Sequence, residues 1–250
     1  GATIFDLPKH MAVSSDLIIT CVKDADAVKE VLFGNDGITS GKYTEISVAD
    51  MSTINPTSAQ EISKKLHTMK IKSLEIPVMG GPNVAINGGL VLMASGDKEL
   101  FETHQKIFKT IANKIFFLGE SGSAHTIKLA MNMQISLLAL SLSEGIILMK
   151  KAGIEPEKFL EILNSTYFGT GMSEKKAYKM IKNEYEPTFT LKNLKKDLDI
   201  ITKTAKDFDA VLPITERANK IYDDALAAGF GELDYTGVLA YIEKISRTKD

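Results

Sequence analysis

Apolar residues in the first half of the chain fall in short continuous runs separated by stretches of helical spacing. Asp16–Val22, Glu45–Ala49, Leu74–Val78, Leu90–Ala94 and Ile115–Leu118 are such runs, the mark of strands covered on both faces. Between them, Asp24–Phe33, Pro56–Met69 and Lys98–Lys109 carry helical spacing, punctuated by Gly34, Gly80-Gly81 and Gly96. A small strand at Gly1–Ile4 and a helix over Pro8–Ser14 are expected before the first long strand. Alternating strands and helices with buried strands predict a mostly parallel α/β sheet.

The pattern changes after Gly119. From Ser121 to Lys151 one long helical pattern runs on, closed by Gly153. Helical segments follow near Pro156–Ser165, Ser173–Lys182, Leu191–Asp207, Pro213–Ala228 and Tyr235–Ser246, with no strand pattern among them. The chain therefore reads as an α/β domain over residues 1–119 and an all-α domain over 120–250, which begins with the long joining helix. The longest apolar run, Ile135–Met149, carries Ser136, Ser141, Ser143 and Glu144. It reads as a core helix and not as a membrane span.

Composition narrows the function classes. The chain has 250 residues, 44% of them hydrophobic, and a net charge of -2. That charge predicts no attraction to nucleic acid or to an anionic membrane. One cysteine, Cys21, allows no internal disulfide and points to a reducing, cytoplasmic setting; it lies in a strand pattern and is expected to be a small buried residue. The four histidines have no metal-ligand spacing, so no metal site is expected.

Four stretches carry candidate chemistry. In Gly119–Asn132 a glycine-broken turn enters the long helix, with Lys128 and Asn132 four residues apart on one helical face. A lysine works as an acid or base only where its surroundings hold it and lower its pKa, and the flanking residues are apolar; taken alone, Lys128 also fits a surface lysine lying along its own helix. Asp50–Pro56 sets Ser52 and Thr53 at a strand end before a helix, a hydrogen-bonding site for a carboxylate or phosphate, or else a Ser/Thr helix cap. Pro77–Pro82 sets Gly80 and Gly81 at another strand end, where backbone N–H groups can approach a ligand, or else make a tight turn. Phe189–Leu198 brings Phe189, Lys196 and Asp197 to a helix start, or else is a solvated helix with a capping charge.

Together these stretches resemble the β-hydroxyacid dehydrogenase family, of the 3-hydroxyisobutyrate dehydrogenase and tartronate semialdehyde reductase type. The family pattern D-x-S-T-x-x-P is intact at Asp50–Pro56. P-V-S-G-G appears as Pro77–Gly81 with Met79 in place of serine. G-x-x-G-x-G-x-x-x-K-x-x-x-N appears as Gly119–Asn132 with Ala124 in place of the third glycine, and K-D-L appears as Lys196–Leu198. The resemblance spans essentially the whole chain. It implies a Rossmann-like N-terminal domain and an all-α C-terminal domain. The sequence holds no G-x-G-x-x-G, and the resemblance implies that roughly 35–45 residues of the family's opening βαβ unit are missing, leaving the Rossmann-like domain incomplete at its N-terminus.

The resemblance further implies reversible hydride transfer between NAD or NADP and a small hydroxy acid or its semialdehyde. Lys128 is then the general acid/base and Asn132 orients the reacting oxygen. Ser52, Gly80 and Gly81 hold the substrate carboxylate, with Phe189 and Asp197 closing the substrate pocket. Thr53 lies between substrate and nicotinamide. Val22, Lys23 and Lys196 touch the cofactor, and Lys23 departs from the apolar residue or proline usual there. The apolar helices after Lys151 imply a homodimer or homotetramer. Without the fingerprint loop, a catalytically silent, oligomerising scaffold is the alternative; an imine-reductase relative is a third reading, against which Lys128 argues.

Overall fold

A computed structural model describes residues 2–41 and 45–247. It forms two compact units, Gly1–Ala130 and Met131–Asp250.

The first unit is built on strands β1 (Leu17–Thr20), β2 (Ser47–Asp50), β3 (Lys72–Glu75), β4 (Val78–Met79), β5 (Leu90–Gly96) and β6 (Ala112–Phe117). Its helices are α1 (Pro8–Met11), α2 (Ala25–Phe33), α3 (Pro56–Thr68), α4 (Pro82–Ile86), α5 (Lys98–Thr103) and α6 (Gln105–Ile111). β1, β2 and β3 are parallel, in the register Thr20↔Asp50↔Glu75. The sheet is more mixed than the sequence pattern predicts, because β5 runs antiparallel to β3 and β4 and parallel to β6. The short α4 connection between β4 and β5 favours this reversal, since a parallel crossover needs a dozen residues or more.

Both faces of the sheet are covered, as continuous apolar strands require. Ile18 and Val48 pack with Val28, Leu32, Ile62 and Leu66 from α2 and α3. On the other face Ala49, Leu74, Leu92 and Ala94 pack with Leu100, Phe101 and Phe108 from α5 and α6. Helix starts are encoded locally. Asp24 caps α2 by accepting from Ala27 N–H at 2.9 Å, and Asp97 caps α5 by accepting from Leu100 N–H at 2.8 Å.

Two expectations fail near the N-terminus. Residues 2–5 form no strand, and Ile4 is 91% exposed; a strand forms only where a neighbouring backbone pairs with it. Cys21 is exposed rather than buried, because β1 ends at Thr20 on one edge of the sheet and Cys21 lies beyond the ladder.

Helix α7 (Ser123–Lys151) begins in the first unit and continues into the second. By length and composition it could cross a membrane, yet its residues Leu142 and Ile146 are buried against Leu160, Ala177, Met180 and Leu239. The second unit adds α8 (Pro156–Asn164), α9 (Gly171–Lys175), α10 (Ala177–Ile181), α11 (Leu191–Asp207), α12 (Pro213–Ala225) and α13 (Val238–Arg247). Among its described residues the one strand-like feature is an isolated bridge between Thr190 and Asp234.

Gly96 closes β5 with φ +111°, and a Cβ there would lie 2.8 Å from the backbone oxygen of Ser73. Its N–H donates to the Gly119 carbonyl at 2.8 Å, which fixes the turn leading into α7. Gly96→Ala is expected to destabilise the unit by about 1–3 kcal/mol, from left-handed strain and a contact with backbone that cannot rotate away. Urea unfolding checks this, and an unchanged midpoint counts against it.

Candidate active site

The candidate site of the first unit is assembled at the carboxyl ends of β1, β2 and β3. Because β1 and β2 are parallel and in register, Thr20 stands beside Asp50. The Thr20 hydroxyl donates to Asp50 Oδ1 at 2.7 Å. Past the end of β2 the chain turns, and both the hydroxyl (2.7 Å) and the N–H (3.2 Å) of Ser52 donate to that same oxygen. The Ser52 hydroxyl in turn accepts from Val22 N–H at 2.9 Å. Ser52 is 2% exposed, so its hydroxyl is committed to the turn. Burial pushes the Asp50 carboxyl above its ordinary range, while these three hydrogen bonds pull the other way. Helix α3 is capped not by Ser52 or Thr53 but by Asn55, which accepts from Thr57 N–H at 2.8 Å.

A second buried carboxylate organises the start of α7. Glu75, at the end of β3, accepts from the Ser121 hydroxyl (2.5 Å), the Ser95 hydroxyl (2.8 Å) and Gly122 N–H (2.7 Å). Ala124 N–H donates to Ser95 Oγ at 3.1 Å. The N-terminus of a helix presents unpaired N–H groups and a partial positive charge, and Glu75 and Ser95 answer both. Burial raises the Glu75 carboxyl above its ordinary range, opposed by its hydrogen bonds.

Two residues later, His125 is fully buried. Burial pushes its imidazole down to about 3, so the ring is neutral. Its Nε2 lies 3.9 Å from Asp50 Oδ2. Lys128, one turn on, is half-buried and its Nζ donates to Met79 Sδ at 3.1 Å. Met79 ends β4 and leads into Gly80, whose φ of +134° favours glycine; a Cβ there would also press on the Leu90 side chain.

The first unit thus brings together the predicted residues Val22, Ser52 and Thr53 at adjacent strand ends, with Lys23 beside them, and it sets Lys128 against the Met79–Gly81 turn. Lys23 projects into solvent, its side chain 81% exposed, with Asp24 at 3.5 Å. The remaining predicted residues belong to the second unit. There Asn132 Nδ2 donates to Asp197 Oδ2 at 2.6 Å, and both residues are 2% exposed. Lys196 Nζ lies 2.9 Å from Asp197 Oδ1. Phe189 packs edge-on against Tyr235 with centroids 6.2 Å apart. The helix bearing Asp197 is therefore not simply a solvated one.

Sequence reasoning passed over Glu75 and His125 as functional positions and treated Asp50 only as a motif letter. Glu75 could have been noticed as a carboxylate inside the apolar run Leu74–Val78; His125 has only its place in the glycine turn to mark it.

The chain matches two family models. Residues 1–119 match the NAD binding domain of 6-phosphogluconate dehydrogenase. Residues 122–242 match the NAD-binding domain of NADP-dependent 3-hydroxyisobutyrate dehydrogenase. The chain belongs to the β-hydroxyacid dehydrogenase family. It is 27% identical over 249 residues to 2-hydroxy-3-oxopropionate reductase of Escherichia coli (strain K12), covering 100% of this chain and 85% of that one. It is 29% identical over 238 residues to the cytokine-like nuclear factor N-PAC of Aedes aegypti, covering 95% of this chain and 43% of that one; the chain thus spans less than half the length of such relatives. Among solved structures, 3-hydroxyisobutyrate dehydrogenase from Salmonella typhimurium aligns with a TM-score of 0.84 at 25% identity, covering 94% of this chain and 82% of that one.

The neutral, buried imidazole has a measurable consequence. A histidine held below its ordinary pKa of about 6.5 contributes stability above that pH and loses it as pH falls toward the folded value. Asp50 and Glu75, both raised, act with the opposite sign, losing their contribution as pH rises through their folded values. Between pH 7 and pH 5 the protein is expected to lose about 2 kcal/mol more stability than the His125→Leu variant. Urea midpoints at the two pH values test this; parallel losses in both proteins would refute a neutral His125.

Proposed function

We propose that the protein is an NAD(P)-dependent oxidoreductase that interconverts a small β-hydroxy acid, 3-hydroxyisobutyrate-like, and its semialdehyde. The observation that carries this reading is the placement of Lys128: half-buried near the start of α7, with its Nζ at the Met79–Gly81 turn. On oxidation Lys128 takes the proton of the substrate hydroxyl; on reduction it returns a proton to the carbonyl oxygen. Backbone N–H groups at Gly80 and Gly81 suit the substrate carboxylate, together with the Ser52–Thr53 turn. Asn132, oriented by Asp197, hydrogen-bonds the reacting oxygen, and Phe189 with Asp197 lines the substrate's surroundings.

The cofactor is NAD or NADP, which supplies or accepts the hydride. The residues present fit it. The parallel ends of β1 and β2 are joined by the Val22 N–H to Ser52 Oγ bond, and the crevice beyond such strand ends is where open α/β sheets take ligands. Val22 and Thr53 would hold the nicotinamide end, and the exposed ammonium of Lys23 suits an anionic phosphate. Lys196 is a further candidate cofactor contact by its place in the K-D-L motif.

Homo-oligomer formation is part of the proposal. The second unit leaves Ile162 (65%), Tyr167 (89%), Val211 (84%) and Ile214 (71%) exposed, large apolar side chains of the kind a partner copy covers. A scaffold reading keeps this surface and drops the chemistry; the similarity to nuclear factors named N-PAC favours holding it as the second reading. Millimolar NAD or NADP separates the two, since binding to the folded state raises the melting temperature of a dehydrogenase and leaves a scaffold unmoved.

Lys128→Ala is expected to lower kcat by about 10²–10⁴-fold with its melting temperature unchanged. Turnover within tenfold of the parent enzyme would remove Lys128 from the reaction.

A further inference from the structure

Asp50 uses its two oxygens very unequally. Oδ1 takes three hydrogen bonds, whereas Oδ2 has no hydrogen-bond partner among the described residues. The same holds for both ring nitrogens of His125, in a side chain with 0% exposure. Buried polar atoms are almost always paired, because leaving one unpaired forfeits its bond to water without replacement. The 3.9 Å between His125 Nε2 and Asp50 Oδ2 is too long for a direct hydrogen bond. A cavity of about 20 Å³ is lined by both residues, together with Glu75, Ser95 and Ser121. One water needs roughly 10–15 Å³ of such space and two or more polar partners.

We propose that Asp50 and His125 are positioning residues: one ordered water bridges the carboxylate to the imidazole and ties the Ser52–Thr53 turn to the first turns of α7, which carry Lys128. The water donates to Asp50 Oδ2 and accepts from the Nε2–H of a neutral imidazole, so two of the three orphaned atoms gain a bond without a buried ion pair. His125 lies three residues before Lys128, on the adjoining helical face, and Ser52 lies two residues after Asp50 and donates to it. The bridge therefore fixes the distance between the proton-carrying side chain and the turn proposed to face substrate and cofactor. Its functional part rests on the dehydrogenase reading; its structural part does not.

Three measurements test it. A high-resolution crystal structure is expected to show a water within hydrogen-bond distance of Asp50 Oδ2 and His125 Nε2; a dry cavity overturns the proposal. In a thermal double-mutant cycle with Asp50→Asn and His125→Leu, the second change is expected to lower the melting temperature much less once the first is made. Additive losses overturn the link, and this readout needs no turnover, so it survives failure of the dehydrogenase reading. With the enzyme active, His125→Leu is expected to lower kcat by about tenfold or more, and polar His125→Gln to recover most of that loss, since misplacing a reacting group by about 1 Å can cost 10²-fold. Equal kcat in the two variants would show that His125 serves packing alone.

Discussion

The Asp50 carboxylate is the constraint on which the candidate site depends. A carboxylate moved out of water loses its hydration, and the loss is tolerable only if donors converge on it. Here they come from the neighbouring strand and the following turn: the hydroxyl of Thr20 and the hydroxyl and N–H of Ser52. The parallel β1–β2 register is what makes this convergence possible, since it sets Thr20 directly beside Asp50. The conformation of the turn is thus over-determined. Val22 is held in place through Ser52 Oγ, and backbone bonds from Met51 N–H to the Thr20 carbonyl and from Ile76 N–H to the Asp50 carbonyl, each 2.7 Å, close the frame.

Glu75 performs the corresponding task for α7. A helix this long carries its positive end into the protein. A cap arrives from β3, as a buried carboxylate 47 positions away accepting from Gly122 N–H. Gly122 suits that approach, with φ +97° and Gln60 Nε2 2.7 Å from a Cβ built there. Charge at this point stabilises the helix through its dipole as well as its unpaired N–H groups. Two carboxylates on neighbouring strand ends therefore determine, respectively, the shape of the Ser52–Thr53 turn and the entry of the helix that bears Lys128.

This division explains what could be read from the sequence. Element order and type followed from periodicity and local caps, because those signals lie within a few residues of what they control; Leu191–Asp207 is the clearest case. The reversed direction of β5 was not legible, since pairing partners lie far apart in the chain. Nor was exposure of Cys21, which depends on where the β1 ladder stops. The motif letters located Ser52, Gly80, Lys128 and Asp197, but a motif lists residues without their partners. It could not reveal that the Ser52 hydroxyl is already committed to Asp50 and Val22, or that Asn132 and Asp197 hydrogen-bond to each other. His125 was least legible of all, because its significance comes from complete burial, which is a property of packing.

Met79 bears on the chemistry that such a frame can support. Lys128 Nζ donates to a thioether, a weak acceptor and a polarisable apolar surface. Val84 and Leu90 flank the following glycine, so the surroundings of Gly80 are apolar on this side. A charged substrate group there would be desolvated with little in return, whereas an alkyl group would be accommodated. Under the proposed reading, polar recognition of a hydroxy acid falls to the backbone at Gly80 and Gly81 and to Thr53, because the hydroxyl and the N–H of Ser52 are already spent on Asp50.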